Sequence, residues 1–172
     1  MIINRSFKEF KLQHRSKKNQ IIYSSKKVQS DKEVLNLIDN FLIEKNSFIF
    51  ESVEKGKIKG RYTIFGKNPD KIWEFNNQSS YLIKKGKKIK LKDKPDQLIE
   101  KIIEEFKFET PKNLPKICSL ISGYFSYDSI RYVEKIPNSC KNDLNIPDVR
   151  LLRPRILAVS YTHLTLPTIY SV

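Results

Sequence analysis

An acid, a hydroxyl and a guanidinium lie close together on two neighbouring predicted strands near the middle of the chain. The first strand, 47–53, contains Glu51 and Ser52, and the second strand, 60–66, has Arg61 near its start. Because a short segment joins them, their spacing predicts an antiparallel pair. The residue types by themselves favour a cross-strand ion pair between Glu51 and Arg61, with Ser52 in a turn. A ligand site formed by the same three side chains is the alternative.

The usual constellations of catalytic and metal-binding residues are absent from the sequence. The 172-residue chain has two histidines, His14 in a basic segment and His163 near the end. Its five glycines form no phosphate-binding loop, and no GxSxG or HExxH motif occurs. Cys118 and Cys140 form no CxxC pair, so we expect reduced thiols in a cytoplasmic protein. We therefore assign no catalytic residue and no metal ligand.

The composition predicts a folded and strongly basic protein. Hydrophobic residues make up 39% and aromatic residues 11% of the chain, which is enough to build a core. The formal net charge of +14 favours anionic partners, nucleic acid among them. The lysines are scattered along the chain, however, which favours a solvated surface, and a nucleic-acid partner is not expected. No apolar run is long enough to span a bilayer, and the first residues lack a signal-peptide pattern.

Helices and closely spaced strand pairs interleave along the chain. The S-x-x-E pattern of Ser30–Glu33 precedes an apolar run with helical spacing and predicts a helix over about 31–45. Residues 81–83 and 88–91 flank KKGK and predict a hairpin, whose lysines either cover its outer face or bind phosphate. Pro95 marks the first turn of another helix. The predicted fold class is α+β, with a mainly antiparallel sheet and flanking helices.

The later stretch SGYFSYDSIRYVEKIP predicts a buried strand followed by a short helix. The strand passes Gly123, and the helix begins around 126–128. We expect the aromatic side chains of SGYFSYD to lie in the core. Asp128 stands near the helix N-terminus, where an acid is favoured, and with Arg131 it is expected to brace the helix. Neither residue is assigned a catalytic role.

Several motifs, taken together, resemble the N-terminal half of anthranilate synthase component I. That family has an L-L-E-S strand end, then G-R-Y-S-x-x-G, then G-Y-x-x-Y-D-x-x-R-x-x-E, and then a P-D loop. The matching segments here are Phe50-Glu51-Ser52, Gly60–Gly66, Gly123–Glu134 and Pro147-Asp148. The order and the spacing of the motifs agree. The resemblance covers about residues 20–157.

The resemblance implies an incomplete N-terminal part of the chorismate-utilising enzyme fold. Members of the family are lyases that convert chorismate to anthranilate in tryptophan biosynthesis, with Mg²⁺ and with ammonia from a glutamine amidotransferase subunit, component II. The chorismate and magnesium residues belong to the family's C-terminal half, so this fragment alone is expected to be inactive. Two alternatives stay open. One is a fragment of the aminodeoxychorismate synthase large subunit of folate synthesis, and the other is a basic RNA-binding module.

The same resemblance implies that Glu51, Ser52 and Arg61 belong to a regulatory tryptophan site. Glu51 would pair with the ammonium of tryptophan, and Ser52 would hydrogen-bond the amino-acid head. Arg61 would attract the carboxylate or hold Glu51 in place. Phe50 and Tyr62 would form the walls around the indole. Tryptophan would then act as a feedback effector of the enzyme.

The chain is expected to divide into three segments. Residues 1–20 form a basic N-terminal arm, either loose or an edge strand, and residues 21–157 form the truncated N-terminal domain. Residues 158–172 carry no Lys, Arg, Asp or Glu. They include SYTHLTLPT, which resembles the translation of a transposase adapter used for sequencing libraries. We expect this tail to be adapter-derived, not biological, with the gene cut near Leu157; a buried C-terminal strand is the alternative.

Overall fold

The computed structural model describes residues 6–15, 19–27, 30–54, 58–107, 110–112, 114–137, 139, 143–161 and 166–171. The chain divides into two compact units. Unit 1 comprises Met1–Pro69, Phe108–Leu120 and Pro154–Val172, and unit 2 comprises Asp70–Lys107 and Ile121–Arg153. Helices occur beside antiparallel strand pairs, which confirms the predicted α+β class.

The described residues contain α-helices, short 3-10 helices and β-strands. The α-helices are α1 (Phe7–Arg15), α2 (Asp31–Leu42) and α3 (Pro95–Phe106). Short 3-10 helices cover Lys116–Cys118 and Tyr127–Tyr132. The strands are β1 (Ile21–Lys26), β2 (Phe48–Glu54), β3 (Ile58–Asn76), β4 (Ser79–Lys84), β5 (Lys87–Lys90), β6 (Ser122–Phe125), β7 (Val149–Tyr161) and β8 (Leu166–Ser171). None of the described helices is long and apolar enough to cross a membrane.

Unit 1 is built on antiparallel strand pairs with one buried cluster. β2 pairs with the first part of β3, β1 pairs with β8, and β8 pairs with β7. The buried residues of its core are Ile21, Ile64, Leu114, Cys118, Leu157 and Val159. Burying each large aliphatic side chain contributes about 1.5–3 kcal/mol relative to exposure. Burial also raises the pKa of the Cys118 thiol to about 12, so this cysteine is a protonated core residue.

Unit 2 places one helix against a second set of antiparallel strands. The last part of β3 pairs with β4, β4 pairs with β5, and β6 pairs with the first part of β7, which lies beside β3. Leu98 and Ile102 of α3 pack into a cluster with Trp73, Phe75, Val149 and Leu151. Pro95 occupies the start of α3, as predicted, because its fixed backbone suits the first helical turn.

The structure overturns the prediction that the N-terminal segment is a loose arm or an edge strand. Residues 7–15 form α1. The Ser6 hydroxyl accepts from the backbone N–H of Glu9 at 3.3 Å, and the Glu9 carboxylate accepts from the backbone N–H of Ser6 at 2.8 Å. This is a reciprocal capping box, and its S-x-x-E spacing was visible in the sequence. Residues 1–5 and 16–18 lie outside the described residues.

The predicted helix over 31–45 is confirmed as α2, although it ends at Leu42. The apolar residues Ile72, Trp73 and Phe75 predict a short strand of their own. The structure shows no separate strand there, because β3 continues through Asn68 and Pro69. Asn68 takes a φ of 52°, in the left-handed region that asparagine tolerates better than most residues. The Asn-Pro pair therefore produces a local irregularity within a strand where the sequence indicated a break.

The predicted hairpin is confirmed, with Lys85 and Gly86 between β4 and β5. Both residues have positive φ, 50° and 74°, which is typical of the type I′ turns that suit the twist of hairpins. The alternation of residue types predicts that Leu82, Ile89 and Leu91 form the inner face of the hairpin. Ile89 is instead 49% exposed, because β5 presents all four of its residues to solvent.

The described residues near the end of the chain form strands. β7 extends to Tyr161, and β8 pairs with β1 from Ile21↔Ser171 to Lys26↔Leu166. Ala158 and Val159 are buried. A strand arrangement does not test where the nucleotide sequence came from. The assignment of residues 158–172 to an adapter, and the segment boundaries at 20 and 157, therefore stay predictions.

Candidate functional site

The strands that carry the predicted site lose their regular register at Ser52. Phe50 lies opposite Ile64 and Glu51 opposite Thr63, but the next pair of Cα partners is Val53 and Lys59. Ser52 alone therefore faces the three residues 60–62 of β3. Extra residues on one strand form a β-bulge, which bends the strand and changes the direction of nearby side chains. Such irregularities are common beside binding sites.

We call Phe50, Glu51, Ser52, Arg61 and Tyr62 the bulge site. Glu51 and Ser52 are exposed, and Phe50 is 46% exposed. Tyr62 is half-buried and packs against the core of unit 1. Arg61 lies in β3, two positions before the Cα partner of Glu51, and its side chain lies outside the described part. The structure brings the five predicted residues onto one strand pair; their role toward tryptophan stays a prediction.

The regular part of the strand pair separates the acid from the aromatic wall. Neighbouring residues of a strand point to opposite faces, so Glu51 and Thr63 lie on one face and Phe50 and Ile64 on the other. Among the described strands β2 pairs with β3 alone, so no described strand pairs with its outer edge. A ligand that contacts both Glu51 and Phe50 must therefore reach around this edge.

The acidic residues, cysteines and histidines of the described segments do not cluster. These segments contain no group of three or more His, Cys, Asp or Glu side chains that could hold a metal ion. His14 is exposed and stacks on Phe10, with ring centroids 5.8 Å apart. We derive no reaction step and no Mg²⁺ site from these residues.

The SGYFSYD stretch follows its predicted backbone but not its predicted burial. Gly123 is required by close approach, because a Cβ atom there would lie 1.9 Å from the carbonyl oxygen of Arg150. The aromatic residues that follow were expected in the core, and this is wrong. Tyr124 is 38%, Phe125 58% and Tyr127 87% exposed. β6 has only four residues, and only the first, Ser122, is buried. The hydrophobic residues therefore continue past the buried part of the strand.

The predicted brace between Asp128 and Arg131 is confirmed. Arg131 Nε donates to Asp128 Oδ1 at 3.0 Å, and Arg131 Nη1 donates to the carbonyl oxygens of Ile136 and Pro137. The guanidinium thus connects the 3-10 helix to the segment that follows it.

Sequence reasoning missed a network around Asp148, which it treated only as part of a loop. Asp148 Oδ2 accepts from the Tyr132 hydroxyl at 2.7 Å and from the backbone N–H of Asn77 at 3.0 Å. The Asp148 carbonyl accepts from the backbone N–H of Ser126 at 2.7 Å. We call these four residues the Asp148 network. Burial, reinforced by the hydrogen bond to Asp148, raises the pKa of Tyr132 above its ordinary value.

The fold and the motifs together define a partial chorismate-utilising enzyme fold of the α+β class. No protein-family model matches the chain. The chain is 32% identical to anthranilate synthase component 1 of Cereibacter sphaeroides over 159 residues, which are 90% of this chain and 32% of that protein. It is 32% identical to the Acetivibrio thermocellus component 1 over 134 residues, 77% of this chain and 27% of that protein.

A plant relative is also similar. Anthranilate synthase alpha subunit 2, chloroplastic, of Arabidopsis thaliana is 34% identical over 116 residues, 61% of this chain and 19% of that protein. The chain is therefore similar to anthranilate synthase component 1 proteins over most of its own length, and it spans about a third or less of the length of these curated relatives. The alternatives of a folate-synthesis enzyme and an RNA-binding module are not favoured.

Proposed function

We propose that this chain carries the regulatory tryptophan site of an anthranilate synthase large subunit, at the bulge site of β2 and β3. One observation carries the proposal. The register slip isolates Ser52 opposite residues 60–62, next to exposed Glu51, on β2, whose outer edge pairs with no described strand. Polar side chains at an irregular and accessible strand edge are available to a ligand, whereas an ordinary cross-strand pair would continue the ladder.

The chemistry of tryptophan fits the residue types of the bulge site. Its ammonium pairs with the Glu51 carboxylate, and the Ser52 hydroxyl hydrogen-bonds the amino-acid head. Its carboxylate is attracted to the Arg61 guanidinium, and its indole lies against the rings of Phe50 and Tyr62. Hydrogen bonds to charged groups contribute about 1.5–3 kcal/mol each, so two of them are enough for selective binding of a free amino acid.

The activity of the whole protein belongs to the same proposal. By the similarity to component 1, the whole protein forms anthranilate from chorismate in the cytoplasm, with Mg²⁺ and with ammonia from a glutamine amidotransferase subunit. The name component 1 of the relatives implies a second component, without its identity. Within this proposal, this chain's own contribution is regulatory binding at the bulge site.

Equilibrium dialysis of the 172-residue chain against labelled L-tryptophan tests the proposal. We expect saturable binding that is weakened about tenfold or more by Ser52→Ala, since a hydrogen bond to a charged group is lost. Ser25→Ala is the matched control, because Ser25 is an exposed strand serine of the same unit outside the site. Absence of saturable binding, or equal loss in both variants, would contradict the proposal. Far-ultraviolet circular dichroism establishes that each variant is folded.

A further inference from the structure

We infer that Gly66 is a positioning residue for the bulge site. Because Gly66 has no side chain, the Phe48 ring can occupy the space above it, and in that position the ring packs against Phe50. This inference rests on the proposed function and names a determinant of the same site. Gly66 lies directly opposite Phe48 in the ladder of β2 and β3. It is not one of the residues assigned to tryptophan.

The requirement for glycine at this position is one of space. A Cβ atom built on Gly66 would lie 2.2 Å from both Cε1 and Cζ of Phe48 and 3.1 Å from Cδ1. All three of its nearest atoms thus belong to one aromatic ring, and none belongs to the backbone. The ring of Phe48 covers the glycine, an arrangement known to compensate for glycine in strands. Any side chain at position 66 must displace this ring.

The Phe48 ring that would be displaced also packs against Phe50, the wall residue proposed to contact the indole. The centroids of Phe48 and Phe50 are 5.0 Å apart with the rings tilted by 37°, a favourable geometry for an aromatic pair. Residues two apart in a strand share a face, so the two rings stand side by side on β2. Phe48 packs against the core of unit 1, whereas Phe50 is 46% exposed. The order Gly66, Phe48, Phe50 therefore runs from the core toward the bulge site.

A half-exposed aromatic ring is held in one orientation by its neighbours. With Phe48 in place, Phe50 presents a fixed ring surface next to Ser52. Without it, Phe50 gains rotamer freedom that must be lost again when an indole binds, and the affinity falls accordingly. A glycine that served only to pack the core would change stability and leave the bound indole in the same environment.

A mutant cycle read by ¹⁹F NMR of bound 5-fluorotryptophan separates these cases. The fluorine signal belongs to the ligand alone and senses the ring current of a neighbouring aromatic side chain. We expect Gly66→Ala to weaken binding about tenfold, or about 1.4 kcal/mol, and to shift the bound signal as Phe50→Ala does. The double variant Gly66→Ala/Phe48→Ala should bind no more weakly than Phe48→Ala, because the added methyl group then has room.

The controls distinguish failure of the inference from failure of the proposed function. Gly86→Ala, in the hairpin turn of unit 2, strains the backbone at a φ of 74° but meets no atom within 4 Å, and it should leave binding and signal unchanged even where it lowers stability. If wild type does not bind 5-fluorotryptophan, the proposed function is wrong. If wild type binds and Gly66→Ala gives the same affinity and signal, the inference alone is wrong. If Gly66→Ala does not fold, Phe48→Ala decides: wild-type affinity and signal overturn the inference, and loss of both supports it.

Discussion

The bulge site in unit 1 and the Asp148 network in unit 2 both derive from motifs of the same family, yet their polar groups are used differently. In the Asp148 network the carboxylate accepts from the Tyr132 hydroxyl and from the backbone N–H of Asn77. In the bulge site Glu51 and Ser52 are exposed at the edge of an irregular strand pair. A motif whose polar groups are occupied internally stabilises the fold, whereas one that presents them to solvent is available to a ligand.

The largest effect that would test this comparison is on stability. Asp148→Ala removes the acceptor of two hydrogen bonds and leaves a partly buried tyrosine hydroxyl without its partner. We expect the free energy of unfolding to fall by about 2–4 kcal/mol, measured by urea denaturation. Asp143→Ala, at an exposed position, is the control and should change stability by less than about 0.5 kcal/mol. Equal effects of the two variants would remove the structural role assigned to Asp148.

The converse test uses the bulge site, where binding should change and stability should not. Glu51→Gln keeps the size of the side chain but removes the charge that pairs with the ammonium. We expect tryptophan to bind about ten- to a hundredfold more weakly in equilibrium dialysis, with unfolding changed by less than about 0.5 kcal/mol. Glu104→Gln, on an exposed position of α3, provides the charge-matched control. A destabilised Glu51→Gln with unchanged affinity would show that Glu51 is structural.

Alkaline pH offers a more specific test of the Asp148 network. The pKa of Tyr132 is raised in the folded protein, so above the ordinary tyrosine pKa of about 10 the unfolded chain loses its proton first. The free energy of unfolding should therefore fall as pH rises, by up to about 1.4 kcal/mol per pH unit from this group. Tyr132→Phe should lack this part of the slope, while Tyr127→Phe, 87% exposed, should keep it. Identical slopes in both variants would contradict the assignment.

The smallest expected effect concerns the brace between Asp128 and Arg131. The Asp128 side chain is exposed, and Arg131 also donates to two backbone carbonyls. Asp128→Asn should therefore lower stability by only about 0.3–0.5 kcal/mol in urea denaturation. A loss of more than about 2 kcal/mol would indicate that Asp128 and the 3-10 helix also belong to the Asp148 network.

Local sequence signals predicted those elements that depend on neighbouring residues. Pro95 predicted the start of α3, and the KKGK turn predicted the β4–β5 hairpin. The S-x-x-E pattern at Ser30 predicted α2, while the same pattern at Ser6 was overlooked because the segment around it is polar and basic. Ser30 itself makes no side-chain capping hydrogen bond, so the pattern indicated the helix without predicting its contacts.

The candidate site was predicted only in part. The motif spacing placed Glu51, Ser52 and Arg61 on paired strands, and β2 with β3 confirms the pairing. The slip of register could not be read from the spacing, because it depends on where the connecting segment allows the ladder to resume. The exposure of Tyr127 was missed for a similar reason, since hydrophobic residue type does not reveal whether another element covers it.

By itself, the sequence determined the similarity to anthranilate synthase component 1, the α+β class, the helices α2 and α3, and the β4–β5 hairpin. Those properties follow from residue type, short-range spacing and turn chemistry, which act over a few neighbouring positions. Tertiary structure alone decided that Asp148 gathers Tyr132 and Asn77, that Phe48 covers Gly66, and that Ser52 faces three residues of β3. These contacts join residues far apart in the chain, and packing, which no local signal encodes, determines which of them form.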